Sequence, residues 1–149
     1  MIAALLLAGA PVGAWESWGA FRRDDGRCHA IAAPARSGAA SRARPFASIA
    51  SRWGRDRRNR VFFRLSARRS PRAPVTLSVG ERRFTLSGDA TAAWAPDAAT
   101  DLAIVAAMRG QRSMSVATVS ERGRPFADTY ALAGAATAID AAALACMRR

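Results

Sequence analysis

Short segments in which large apolar side chains alternate with small or polar ones recur along this sequence, and most of them end at turn-forming residues. Such alternation is typical of half-buried β-strands, because successive side chains of a strand point to opposite faces. The clearest pair, residues 75–79 and 82–87, flanks Gly80-Glu81 and predicts a hairpin. Further strands are predicted at 15–21, 27–33, 46–53, 60–66, 112–120 and 126–132.

The strand predicted at 60–66 carries its charge on one face. Val61, Phe63 and Leu65 face one way, and Arg60, Phe62 and Arg64 face the other. The apolar set suits a core, whereas the arginines must remain in water. The pattern therefore predicts a strand whose outer face is basic.

Two helices complete the prediction. The first follows Pro96 and Asp97, which suit a first helical turn, and ends at Gly110. The second is rich in alanine, starts at about Gly134 and carries Cys146 on its apolar stripe. Many short strands with two helices predict a mainly β fold: an antiparallel β-sandwich with one short internal helix and a C-terminal helix tied by a disulfide.

The first fourteen residues have the pattern of a signal peptide. Residues 2–10 are apolar but too few to span a bilayer, which takes about 20 residues. Val12 and Ala14 suit a cleavage site before Trp15, although no arginine or lysine precedes the apolar run. We therefore predict a signal peptide at 1–14 and one β-rich domain at 15–149. The alternative is that the run forms a buried first strand.

Two cysteines, Cys28 and Cys146, bracket nearly the whole predicted domain. Two cysteines so far apart form no metal-binding motif, and in an exported protein they predict a disulfide. Closing so long a loop would stabilise the fold by about 4–5 kcal/mol on the chain-entropy model. Without export, both would be buried thiols.

The positive charge is concentrated in one quarter of the chain. The net charge is +12, and all 23 cations are arginine, a choice that a GC-rich genome would also produce. Residues 36–72 hold 12 arginines and one acid, Asp56, a local net charge of +11, whereas the rest of the chain nets +1. Composition explains the type of cation but not this distribution, which indicates an anionic partner.

The predicted anion-binding residues lie in this quarter, beside Trp53, an aromatic that could share the contact. They are Arg52, Arg55, Arg57, Arg58, Arg60 and Arg64. The other three tryptophans are predicted to serve the core.

The last third of the chain resembles the invasion-associated locus B family of exported bacterial proteins. The resemblance is carried by Ser120 to Gly123, by Asp128 to Gly134 and by the helix that ends in Cys146. Weaker matches upstream are Cys28 with Ala30 and Pro34, the hairpin at 75–86, and Ala93-Trp94. Within the matched segments Arg122, Gly123, Asp128 and Tyr130 form a structural motif.

The resemblance implies a periplasmic or surface-associated β-rich domain of the cell envelope with a disulfide, linked in pathogens to host-cell invasion. It implies no enzyme activity. The sequence departs from the family at His29, where an aromatic is expected, and in its basic 36–72 stretch.

No catalytic set, metal site or cofactor motif is found in the sequence. His29 adjoins Cys28, but neighbouring strand residues point to opposite faces and a disulfide would consume the thiol. One histidine does not supply a zinc site. Asp128 lies among apolar residues and could be a base with a shifted pKa, but we favour a structural role in which it accepts hydrogen bonds from backbone amides or from Arg122.

Three functions are compatible with these features. The first is a non-enzymatic exported module that contacts an anionic membrane or envelope surface through its arginine face. The second is a structural periplasmic protein without a ligand, whose charge only keeps it soluble. The third, nucleic-acid binding, suits a pI of about 11.7 but is disfavoured by the predicted compartment and by the lack of a recognition motif. Nothing in the sequence identifies a small-molecule substrate or an oligomeric state.

Overall fold

The structure, a computed structural model, describes residues 9–39, 43–52 and 59–147, and these residues form ten strands and two helices. The strands are β1 (Ala10–Trp15), β2 (Trp18–Arg22), β3 (Arg27–Ala32), β4 (Phe46–Arg52), β5 (Arg60–Arg64), β6 (Val75–Val79), β7 (Arg82–Gly88), β8 (Ala92–Trp94), β9 (Ser113–Val119) and β10 (Pro125–Ala131). The helices are α1 (Ala98–Met108) and α2 (Ala135–Met147).

All ten strands belong to one antiparallel sheet, in the order β1-β2-β3-β4-β5-β8-β7-β6-β9-β10. Strands β1 to β5 are neighbours in sequence and in space, whereas β5 next pairs with β8. The segment that follows β3 reaches β10, the strand at the opposite edge of the sheet. There the amide of Thr129 donates to the carbonyl of Arg36 at 2.9 Å. The sheet thus folds over so that its two halves enclose a core.

One hydrophobic cluster spans both halves of the sheet. The rings of Phe63, in β5, and Tyr130, in β10, lie 5.8 Å apart between centroids. The indole nitrogen of Trp18 donates to the carbonyl of Ala131 at 2.8 Å, so β2 is also held to β10. This arrangement confirms the predicted mainly β, sandwich-like fold.

Helix α1 begins after Asp97, whose carboxylate accepts a hydrogen bond from the amide of Thr100 at 2.7 Å, as expected of an N-cap. Helix α2 packs on β1 to β4. Cys28 and Cys146 form the predicted disulfide, with their Cα atoms 5.8 Å apart. In the described part of the chain, no helix combines the length and the apolar character needed to cross a membrane.

Residues 15–21, predicted as one strand, instead contain the last residue of β1 and most of β2. A two-residue turn separates β1 from β2, so that Trp15 pairs with Trp18, and Glu16 has a φ of 55°. Neither turn residue is glycine, asparagine or aspartate, so the usual hairpin signal was absent. Strand β8 was also not predicted, because three residues are too few to show alternation.

Candidate anion-binding cleft

The pairing of three strands brings distant residues together on the outer face of the sheet, opposite α2. In one row His29 of β3 pairs with Ala50 of β4, which pairs with Arg60 of β5. The adjacent row is Ile31, Ser48, Phe62 and Trp94. Because strand side chains alternate between faces, both rows point away from the core that holds Cys28 and Val61.

Apart from Arg60, which lies at the edge, these two rows form the floor of a cleft of about 900 Å³. The floor is mainly apolar, and Phe46 and Phe62 contact each other across it, with ring centroids 5.9 Å apart. Ala95 and Pro96, which precede α1, and Asp101, in its first turn, also line the cleft. Trp94, predicted to serve the core, lies here with 36% of its surface exposed.

Four exposed arginines surround the apolar floor: Arg23, Arg27, Arg44 and Arg60. Arg23 and Arg27 share one carboxylate, that of Asp25, at 3.7 and 4.0 Å. Asp101, the acid that lines the cleft, is buried and accepts a hydrogen bond from the amide of Val61 at 2.9 Å. The cleft is therefore positively charged, with an apolar base.

His29 lies on this floor in an environment that favours its neutral form. Burial lowers the pKa of His29, and the positive charges of Arg23 and Arg27 lower it further, while Asp25 opposes them. Its Nδ1 lies 3.4 Å from the hydroxyl of Ser48. Its Nε2 is buried and has no hydrogen-bond partner among the described residues. The neighbouring sulfur of Cys28 is on the opposite face in a disulfide, so the two side chains do not form a Cys-His pair.

The predicted six-arginine patch is divided by the structure. Arg60 lines the cleft, whereas Arg64, on the same strand, lines a second groove of about 600 Å³ that also holds Arg68, Arg122 and Arg124. The side chain of Arg52 and all of Arg55, Arg57 and Arg58 lie outside the described residues. The alternation predicted for β5 is present, with Val61 and Phe63 buried and both arginines exposed.

Asp128 is wholly buried and holds three parts of the chain together. Its carboxylate accepts hydrogen bonds from the amide of Gly38 at 2.8 Å, the amide of Ser66 at 2.9 Å and the hydroxyl of Ser66 at 2.5 Å. Its partners are thus backbone amides and a hydroxyl rather than Arg122, which is exposed. A side chain at Gly38 would collide with the backbone of Ala127, so glycine permits this approach.

The other residues of the predicted structural motif are placed as follows. Gly123 has a φ of 79° in the turn between β9 and β10, and its amide donates to the carbonyl of Ser120 at 2.9 Å. Tyr130 is buried in the core, and its hydroxyl has no partner among the described residues. Burial and the charge of Asp128 raise the pKa of Tyr130, so it remains neutral at physiological pH.

No three histidine, cysteine or acidic side chains lie close enough to hold a metal ion within residues 9–39, 43–52 and 59–147. The arrangement that remains is a cationic cleft with an apolar floor. Chemically, such a cleft can bind and orient an anion.

The fold and the disulfide define a class: a β-sandwich-like domain made of one folded sheet, with its C-terminal helix bonded to β3. A solved structure with a similar fold is the crystal structure of invasion associated protein B from Bartonella henselae. The two structures superpose with a TM-score of 0.68 over 95% of this chain and 100% of that chain, at 15% sequence identity. The fold implied by the family resemblance is therefore confirmed.

Sequence comparison does not add to this result. No protein-family model matches the chain, and no curated protein matches it significantly.

Proposed function

We propose that this protein is a non-enzymatic, exported module that contacts anionic envelope or host surfaces through its arginine-rich face. The observation that carries the proposal is the convergence of arginines from separate segments. Arg23 comes from the turn between β2 and β3, and Arg27 from the start of β3. Arg44 comes from the connection before β4, and Arg60 from β5. Such a distribution holds the charges as a patch on a rigid sheet.

Guanidinium groups suit this role because each forms two parallel hydrogen bonds to one phosphate and retains its charge at every physiological pH. A cation beside an anionic membrane contributes about 1 kcal/mol to adsorption. Phospholipid headgroups, lipopolysaccharide phosphates and host polyanions all present the required phosphate or sulfate groups. Arg44 makes no ion pair with the described residues, so its charge is available to such a partner.

Export is the second part of the proposal. The disulfide supports it, because such bonds persist mainly in oxidising compartments. The similarity of fold to invasion associated protein B and the signal-peptide pattern of residues 1–14 support it further. The proposed cleavage point, before Trp15, lies within β1, so cleavage would leave β2 as the edge strand of the mature sheet.

Intact-mass spectrometry of the protein from fractionated bacteria tests export. We expect periplasmic material that lacks residues 1–14 and begins at Trp15. A second fraction, the membrane pellet, should hold part of it if the arginine face adsorbs to lipid. Recovery of the full-length chain in the cytoplasm would contradict export and would restore nucleic acid as a partner.

Replacing Arg55, Arg57, Arg58 and Arg60 together by serine should weaken adsorption to vesicles rich in phosphatidylglycerol by roughly 100- to 1,000-fold at low salt. Adsorption of the parent protein should fall as salt rises, because exposed charges are screened over roughly 8–10 Å at physiological ionic strength. Vesicle co-sedimentation over a salt series measures both effects.

A matched control removes four exposed arginines that belong neither to the predicted six-arginine patch nor to the cleft: Arg82, Arg83, Arg112 and Arg124. The control has the same net charge as the test variant, so the two differ only in where the arginines are removed. If the position of the arginines determines adsorption, the control should retain most of it. Thermal unfolding checks that both variants are folded. If parent, variant and control adsorb equally at low salt, the arginine face has no such role and a structural function is favoured.

A further inference from the structure

We infer that the cleft binds one phospholipid molecule at a time, with one of its acyl chains on the apolar floor and its phosphate among the arginines. This inference rests on the proposed function and names its ligand. It differs from adsorption to a surface, because a cleft in the sheet can only receive a chain that leaves the bilayer.

The floor is the first reason for this assignment. The exposed face of an antiparallel sheet is ordinarily polar, because only its inner face meets the core. Here the outer face carries Ile31, Phe46, Phe62 and Trp94 in adjacent positions, and α2 covers the opposite face. A contiguous apolar patch rimmed by polar residues is typical of a binding surface.

The charge around the floor is the second reason. Arg44 and Arg60 belong to the β4–β5 side of the cleft, and Arg23 and Arg27 to the β2–β3 side. Asp25 balances part of the charge of the second pair, and Asp101 adds one more negative charge at the cleft, so four arginines face two carboxylates. The net positive rim complements a phosphate, and the apolar floor complements the chain attached to it.

The size of the cleft is the third reason. Its volume of about 900 Å³ lies within the range of roughly 300–1,000 Å³ that is usual for pockets that hold one small molecule. A double helix or a folded polyanion would meet only the rim and would leave the apolar floor uncovered.

His29 provides a reporter inside the cleft. The chain has one histidine, so its imidazole signals in an NMR spectrum need no assignment. The charged groups facing it are Arg23, Arg27, Asp25, Arg44, Arg60 and Asp101. A bound phosphodiester would raise the pKa of His29, and an acyl chain that covers the ring would lower it, so binding should change the environment of the imidazole in either case. We therefore expect its ring signals to shift when a lipid occupies the cleft.

The binding test uses soluble lysolipids below their micellar concentrations. Myristoyl lysophosphatidylglycerol should bind, and its hexanoyl analogue should bind at least about 100-fold more weakly, because each buried methylene contributes to affinity. Myristoyl lysophosphatidylcholine, whose headgroup has no net charge, should bind at least about tenfold more weakly than the matching phosphatidylglycerol lipid. Equal affinities for the two chain lengths, or His29 ring signals that do not shift on binding, would overturn the inference.

Ala50→Trp separates the inference from the proposed function. Ala50 lies on the floor between His29 and Arg60, so a tryptophan there fills the cleft while all 23 arginines remain. We expect loss of lysolipid binding with adsorption to anionic vesicles retained. Lysolipid binding that is unchanged in a folded Ala50→Trp variant would exclude this cleft.

A second pair of variants serves if Ala50→Trp does not fold. Arg27→Ser/Arg44→Ser removes two charges from the cleft, and Arg83→Ser/Arg112→Ser removes two exposed charges elsewhere. The first should reduce lysolipid affinity at least about tenfold and the second by less than about twofold. Equal losses would indicate attraction by net charge alone, and a single-stranded oligonucleotide that displaces the lysolipid from the parent protein would favour nucleic acid instead.

Discussion

Replacing both Cys28 and Cys146 by alanine should lower the free energy of unfolding by about 3–5 kcal/mol. The two residues are 118 positions apart, and a bond across so long a loop removes about 5 kcal/mol of unfolded-state entropy on the chain-entropy model. Strain in the native state and structure in the unfolded chain reduce this value. Chemical denaturation of the parent and the double variant measures the difference.

The loss of stability in the double variant should be greatest in α2. A 13-residue helix is marginal by itself in water, so α2 depends on its packing against Ala20 and Cys28. Hydrogen exchange should therefore accelerate in 135–147 more than in β6 and β7. The parent protein treated with a reductant is the control and should behave like the double variant. Two free thiols in protein isolated under oxidising conditions would contradict the disulfide itself.

Asp128→Ala should lower the free energy of unfolding by about 3–5 kcal/mol, because it leaves three donors without an acceptor in a wholly buried site. Each unsatisfied buried donor costs about 1–3 kcal/mol. The affected donors belong to Ser66, after β5, and Gly38, between β3 and β4, so the loss should also loosen the contact between the two halves of the sheet. Thermal and chemical unfolding measure the change.

Asp140→Ala is the matched control. Asp140, in α2, is also an aspartate with a defined partner. Its ion pair with Arg109, at 2.7 Å, is however exposed. Exposed pairs contribute about 0–1 kcal/mol, so this variant should remain close to the parent. Equal losses for the two variants would show that the buried hydrogen bonds of Asp128 have no special importance for the fold.

The elements that the sequence predicted well are those whose signal is local. The alternation in β5 and β6 reflects the two faces of a strand, and Asp97 marks the start of α1 by its capping hydrogen bond. The pairing of Cys28 with Cys146 also followed from the sequence, since the chain offers one pair only. None of these inferences needs knowledge of which strands are neighbours.

The cleft could not be predicted because it depends on strand register. A count along the chain found the excess of arginine at 36–72 but not Arg23 and Arg27, which lie outside that stretch. Pairing of β3 with β4 and of β4 with β5 brings His29 level with Arg60, although 31 positions separate them in the sequence. Periodicity within a segment shows which residues share one face of a strand. It does not show which other strand lies beside that strand.

The strand order also sets the sequence in which the chain can acquire its structure. Strands β1 to β5 and the β6–β7 and β9–β10 hairpins pair close neighbours, so they can form as soon as each segment is available. The β5–β8 and β6–β9 pairings join segments that are far apart in the sequence, and contacts of that kind slow folding. The bond between Cys28 and Cys146 forms when an oxidant takes one electron from each thiol, and the two sulfurs meet only once α2 has docked on β1 to β4. The disulfide therefore fixes a helix onto strands that have already paired and does not guide the first pairings.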